Sequence, residues 1–383
     1  MPLFHPPFFD DPGAHRVQHD LVQEYTHWPM RRRRTEYRKA ALRQLLLWAT
    51  GQWRLQRRRV PASARRILWI YDWTTLGDSL MDLSPRSRIP PHITLDLLIA
   101  PQLADVYRHD PRFAAVHTTP GTCTAAYDAL LLHSLSTRSL QAKRRAFRRL
   151  PFVCVMPTVP GEQLYNRIEL ANLRIETVFQ LPAAGPVQPS LHLGHTPAPA
   201  LDAGRTHVAV LLGARDARRS LGCWPQLLGT LQQRWPAQQP APLFHLLGNG
   251  SARQDRDSLP AAWRQAHCMD WVDAPLLDTA ALISQCQQFL GPDGGLMHVA
   301  IALGRPGLAL FTGVDPRLRL LPGTAMATLF TPDGLHSLAV DTIAKRFLAG
   351  LDGLAGLAGL DGPAGLDGLG GLEGQPLRQA GQA

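Results

Sequence analysis

Cysteine is scarce in this chain and unpaired by spacing. Cys123, Cys154, Cys223, Cys268 and Cys286 are scattered and form no Cys-x-x-Cys. That argues against a disulfide framework or a zinc site and points to a reducing compartment. No apolar run approaches about 18 residues, so no membrane-spanning helix is expected. Residues 1–13 lack the basic start and apolar core of a signal peptide, and a cytoplasmic protein is expected. Charged residues are also few, 18% against 45% hydrophobic, the balance of a folded globular chain. Its 383 residues suffice for two domains of ordinary size.

Acid is short in one region above all. Residues 1–66 hold 14 Lys or Arg against 5 Asp or Glu, a net of +9 out of +10 for the whole chain. The basic excess therefore belongs to an N-terminal extension, placed at residues 1–65 and expected to be partly helical. Between its arginine clusters, Ala41, Leu42, Leu45, Leu46, Trp48 and Ala49 recur at roughly helical spacing. Two readings stay open: a helix packed on the body with solvated arginines, or contact with the inner face of a membrane through residues 31–59. Nucleic acid is disfavoured, since no known reader motif accompanies the charge. At the other end, glycine stands at every third position from Gly350 to Gly374. The repeat is too short and too poor in proline for a collagen helix, so residues 349–383 read as a low-complexity, disordered tail.

Between these ends, short apolar runs alternate with helix-like stretches. Residues 66–71, 93–99, 115–118, 129–133 and 152–156 form one strand set, and 207–212, 243–247, 289–290 and 308–311 a second. Residues 181–205 carry five prolines and three glycines without periodicity, a linker composition. The expected architecture is α/β, with two Rossmann-like domains whose parallel sheets face a cleft: residues 66–180, then the linker, then 206–348.

Residues 289–316 are the most informative stretch. A short apolar run ends in Asp293-Gly294-Gly295, a helical pattern follows from Leu296, Gly304 and Pro306 stop it, and another strand begins. Asp293 is placed to cap that helix, and the two glycines let a ligand approach its open N–H groups, which is how a protein grips a diphosphate. His298, one turn in, offers a further donor. A second glycine-bearing loop, Thr75-Leu76-Gly77-Asp78, follows the first buried strand, where ligands bind in open parallel sheets. A carboxylate there suits proton abstraction from a bound hydroxyl. The alternative for Asp78, as for Asp293, is helix capping alone.

The string from Asp293 to Pro306, closed by Asp315-Pro316, resembles the signature of glycosyltransferase family 9, the ADP-heptose:lipopolysaccharide heptosyltransferases. Asp293, Gly295, Leu296, His298, Ala302, Leu303, Arg305 and Pro306 match; Gly294 departs, standing where the family has a hydroxyl residue. The Gly77-Asp78 loop is similar to the family's opening motif, and Gly213-Ala214 with Trp224-Pro225 resembles a third. There Gly222 occupies the position of a diphosphate-binding lysine.

The resemblance covers roughly residues 66–347. It implies the GT-B fold and an inverting transfer of a sugar, heptose above all, from a nucleotide-diphosphate donor such as ADP-heptose to a lipopolysaccharide-core or related glycan or glycolipid acceptor. Asp78 takes the role of catalytic base, with Thr75 and Gly77 in the acceptor loop. Donor contacts fall to Asp293, Gly294, Gly295, Leu296, His298 and Gly213, with Arg215, Arg218 or Arg219 supplying the charge lost at Gly222. Neither a cofactor nor a metal is expected. The alternatives are transfer of a different nucleotide sugar or to a non-lipid acceptor, and a non-catalytic binding module on the same fold.

Overall fold

The apolar runs become strands buried on both faces, as parallel sheets covered by helices require. A computed structural model describes residues 30–156, 165–213 and 216–355. The first half contains α1 (Met30–Ala49), β1 (Gln56–Arg57), β2 (Arg66–Ile70), α2 (Leu76–Asp82), β3 (Thr94–Leu98), α3 (Pro101–Tyr107), β4 (Ala115–His117), β5 (Ala129–Ser134), α4 (Thr137–Ala146), β6 (Phe152–Met156) and α5 (Arg167–Phe179). Its parallel sheet runs β1-β6-β5-β2-β3-β4. The second half contains β7 (Thr206–Leu211), α6 (Trp224–Gln233), β8 (Pro242–Gly248), α7 (Arg253–Asp257), α8 (Ala261–His267), β9 (Cys268–Val272), α9 (Leu276–Gln285), β10 (Gln288–Pro292), α10 (Gly295–Ala302), β11 (Gly307–Thr312), β12 (Met326–Thr331) and α11 (Val340–Ala355). Its sheet, also parallel, runs β12-β11-β10-β7-β8-β9. The architecture is two Rossmann-like sheets in a GT-B-like α/β fold.

In each sheet the strand order reverses once, between β2 and β5 and between β7 and β10. The loops after these strands open at the crevice where doubly wound sheets bind ligands. The halves meet through α2 and α10, whose approach depends on two glycines. A Cβ on Gly77 would lie 2.5 Å from the His298 ring, and one on Gly295 3.2 Å from Leu76. One apolar cluster then runs across both halves, joining Trp69, Leu80 and Leu131 to Phe289, Met297 and Phe311.

Three boundaries differ from the sequence reading. The end of the basic extension belongs to the first half: β1 pairs with β6, the Val60 N–H bonds the Val178 carbonyl at 2.8 Å, and Val60 and Ala64 are buried. Residues 181–205 carry no regular element, yet they are a packed strap. Ser190 accepts from the buried Arg86, itself paired with Asp110, and Leu181, Leu191 and Leu193 lie on the core. Finally, α11 continues through Gly350 to Ala355, so the first glycine triplets are helical. Leu351 is buried there, and burying a helix's apolar stripe outweighs the cost of two glycines. The rest of the tail lies outside the described residues.

Candidate active site

On the wall of the first half, β2 delivers residues 71–75 to the crevice and α2 begins at Leu76. Asp78 is in the first turn of α2 and points back into the loop, taking a short hydrogen bond from the Thr75 hydroxyl. It is held by two arginines: Arg167 NH1 lies 2.6 Å from Oδ1 and Arg319 NH1 3.5 Å. Arg167 also forks onto Asp82, with Nε and NH2 each 2.6 Å from a carboxylate oxygen, and its guanidinium lies over the Trp73 ring at 4.4 Å.

Asp82 is fully buried. The Tyr71 hydroxyl donates to it at 2.9 Å, and His133 Nε2 lies 2.9 Å away. Burial alone would raise its pKa, but the Arg167 guanidinium and His133 outweigh that and hold it well below the usual carboxylate range. Burial would likewise lower the Arg167 pKa, and Asp82 more than reverses the effect. Asp78 therefore rides on a buried ionic support. Beside it is a cavity of about 410 Å³ lined by residues 72–75, Asp78, Ser136 and Arg138. Ser134, at the end of β5, and Ser136, in the loop after it, donate to the Asp72 carboxylate at its wall.

The wall of the second half is finished with backbone. The N-cap of α10 is Gly294, which makes no side-chain cap bond, so Asp293 is not the cap expected of it. Its carboxylate turns instead toward His298 Nε2 at 3.6 Å and Arg219 NH1 at 3.5 Å. Burial acts to raise the Asp293 pKa; His298, Arg219 and Arg319 together bring it below the ordinary value. The first bond of the helix runs from the His298 N–H to the Gly294 carbonyl, leaving the amides of Gly295, Leu296 and Met297 without partners inside it.

Gly295 and Leu296 line a cavity of about 730 Å³ together with Leu211–Gly213, Arg219, Gly248, Asn249, Ser251, Thr279 and residues 292–294. Its floor needs glycine at Gly213, where φ is +65° and a Cβ would sit 2.6 Å from the Ser251 carbonyl. A volume of this size suits a nucleotide-sized ligand.

Most of the expected site residues therefore gather at one cleft: Thr75, Gly77 and Asp78 on one wall, Gly213, Arg219, Asp293, Gly294, Gly295 and Leu296 on the other. His298 is buried between Gly77 and Asp293, and its ring is a spacer rather than an exposed donor. Arg218 turns away and donates to the Pro332 carbonyl at 2.6 Å. Arg215 lies outside the described residues. Trp224 is buried in the second core, so the Trp-Pro pair packs and starts α6. The chain contains one Asp-x-Asp triplet, Asp255-Arg256-Asp257, on α7. Asp257 pairs with Arg256 and Arg264, and Asp255 is half-buried against Gly213 and Trp224. Among the described residues, no group of three or more His, Cys, Asp or Glu is placed to hold a metal ion. Arg167, Arg319, Asp82 and His133 were not singled out from the sequence. The one available signal for Arg319 is its place three residues after the Asp315-Pro316 end of the motif.

The sequence model of glycosyltransferase family 9 (heptosyltransferase) matches residues 274–329, which include α10 and the Asp293 motif, and the resemblance read there is borne out. No curated protein matches the chain in sequence. Among solved structures, Escherichia coli ADP-heptose LPS heptosyltransferase II aligns with a TM-score of 0.58 at 18% identity, covering 77% of this chain and 99% of that one. A family 9 glycosyl transferase from Veillonella parvula gives 0.58 at 12% identity, covering 74% and 97%. The E. coli heptosyltransferase WaaC with ADP gives 0.55 at 16%, covering 73% and 98%. At these identities the likeness is one of fold.

Proposed function

We propose, for a chain similar to family 9 glycosyltransferases in fold over most of its length and in sequence over residues 274–329, that it transfers a sugar from a nucleoside-diphosphate donor with inversion. One observation carries this reading: a supported carboxylate, Asp78, stands across a cleft from the open amides at the start of α10. The donor diphosphate would lie against Gly294, Gly295 and Leu296, with the sugar directed toward Asp78 and the nucleoside in the 730 Å³ cavity. Helix amides and Arg219 would offset the charge that grows on the leaving diphosphate, so that no metal is required. Asp78 would take the proton of the acceptor hydroxyl as its oxygen attacks the anomeric carbon and the diphosphate leaves. Thr75 and Arg167 would orient the base.

The preferred donor is ADP-heptose, in line with the ADP and ADP-heptose analogue named for the WaaC structures. The acceptor would be a lipopolysaccharide-core or related glycolipid, met in the cytoplasm at the inner membrane surface. Gly294 and Gly222 favour a second reading, another nucleotide sugar or a non-lipid acceptor, because both remove side-chain contacts that would specify the donor.

The test is nucleoside diphosphate release from a panel of nucleotide sugars, with Asp78→Asn beside the wild type. The expected loss is about 10²- to 10⁴-fold in kcat. Release unchanged by that substitution removes Asp78 from the chemistry, and binding without turnover favours a non-catalytic module.

A further inference from the structure

Seven large apolar side chains are exposed among the described residues, and five of them, Met30, Leu42, Leu45, Trp48 and Trp53, belong to α1 and the turn after it. The stretch is also strongly basic, with seven Lys or Arg and one Glu in α1. Steps of three and four residues place Arg31, Arg34, Arg38, Leu42, Leu45 and Trp48 along one line of the helix, and all six are exposed. That line begins with three guanidinium groups and ends in leucine and tryptophan. Trp53 extends it, with the Arg54 guanidinium 5.4 Å from its ring centre.

The helix is fixed to the body by its opposite side. Leu47 is 1% exposed in the core beneath β2 and β5, and the Thr50 hydroxyl closes the last turn on the Leu46 carbonyl at 2.6 Å. Gln52 is buried, accepts from the Lys143 ammonium, and is followed by β1 on the edge of the first sheet. An apolar face left open on a helix so anchored serves a partner rather than the core.

We infer that this line of α1 is a docking surface for an anionic lipid bilayer. Trp48, Trp53, Leu42 and Leu45 enter the boundary between headgroups and acyl chains, and Arg31, Arg34 and Arg38 meet lipid phosphates. Charge selects this occupant over a second copy of the chain, which would set arginine against arginine. No helix among the described residues is long and apolar enough to cross a membrane, so the contact is interfacial. The inference deepens the glycolipid-acceptor reading and takes its purpose from it, since α1 belongs to the acceptor half.

The test is co-sedimentation of the full chain with vesicles of phosphatidylcholine alone or mixed with phosphatidylglycerol. Wild type is expected to bind the mixed vesicles with a blue shift in tryptophan emission, and to lose that binding as salt rises. Leu45→Glu/Trp48→Glu and Arg34→Glu/Arg38→Glu are each expected to weaken binding by about tenfold or more. These substitutions lie on the exposed face, and unchanged ADP binding checks the fold. Equal binding to neutral and anionic vesicles overturns the inference, as does binding unaffected by both double variants. Self-association lost on Trp48→Glu, without vesicle binding, assigns the face to a second copy instead. A chain that binds vesicles but releases no nucleoside diphosphate keeps this surface and loses the transferase reading.

Discussion

The two halves share the order of five strands, with β1 and β12 as unlike sixth strands at one edge, but finish their crevice loops in opposite ways. After β2, the loop ends in side chains: Asp78 is held by Thr75 and Arg167, and Arg167 is held by buried Asp82, with Tyr71, Trp73 and His133 packed around the pair. After β10, the loop ends in Gly294-Gly295, where backbone amides are left open. Under the proposed transfer reaction, the difference follows from what each wall would meet. A proton acceptor needs one oxygen held in one place, which takes a rigid, charged support. A diphosphate presents several anionic oxygens, which adjacent amides and a helix dipole receive without side chains. One half thus depends on an ion network and the other on bare backbone.

Breaking the network should have the largest effect. Arg167→Met leaves Asp82 buried without its guanidinium, a loss of about 3–5 kcal/mol when one partner of a buried pair is removed. The variant should melt well below wild type at pH 7, and activity should fall because Asp78 loses its support. The pH dependence has a definite sign. In wild type, the Asp82 pKa is depressed, so its stabilisation is present above the unfolded value near 4 and fades as pH drops through it. In the variant, only His133 and the Tyr71 hydroxyl still oppose burial, so that pKa rises and protonation relieves the cost. The stability gap should narrow as pH falls from 7 toward 4. Melting temperatures of both proteins across that range check this, and a gap that stays constant or widens sinks the account.

The sequence showed the wall of the second half more clearly than that of the first, for the same physical reason. A backbone site is written in consecutive residues, so Asp293, Gly294, Gly295 and Leu296 could be read as one string. An ion network is assembled across the chain: Arg167 is 85 positions from Asp82, and Arg319 is 241 from Asp78. Arg167 stands in no pattern that spacing could reveal, and Arg319 is marked only by its place three residues after Pro316. Strands divide along similar lines. Central strands are apolar on both faces and were legible; β1, β9 and β12 lie at sheet edges and carry half-exposed residues that blur the apolar run. The Asp293 cap was misread because glycine at the next position takes the cap and frees the carboxylate for Arg219 and His298.

Arg319 links the two walls and sharpens the comparison between them. It comes from the donor half, and its guanidinium reaches Asp78 while also acting on Asp293. With Gly222 in place of a lysine, it is a second cation beside Arg219 near the proposed diphosphate. Arg319→Gln should lower kcat/KM for the donor by about tenfold to a hundredfold, the value of a charge-assisted hydrogen bond. Melting temperature should change little, because the side chain is only partly buried and its 3.5 Å contact is long. Steady-state kinetics against donor concentration separate the cases. A fall confined to kcat would place Arg319 with Asp78 and the acceptor wall instead.

The smallest expected effect comes from adding a side chain to the bare wall. At Gly294 the backbone is extended, with φ −176° and ψ 177°, and a Cβ would meet Leu211 at 3.5 Å, an ordinary contact. Glycine is thus not required there by the fold, and Gly294→Ser should leave stability within about 0.5 kcal/mol of wild type. Its hydroxyl would have two competing uses. Turned outward, it adds one hydrogen bond to a diphosphate, about 0.5–1.5 kcal/mol, and tightens ADP binding by roughly twofold to tenfold. Turned inward, it caps α10 and withdraws an amide from the ligand. Calorimetric titration with ADP distinguishes them. Tighter binding supports a wall whose open amides face the diphosphate, whereas weaker binding with a higher melting temperature shows that the amides themselves hold the donor. Binding and stability both unchanged would mean that the diphosphate does not lie at the start of α10 at all.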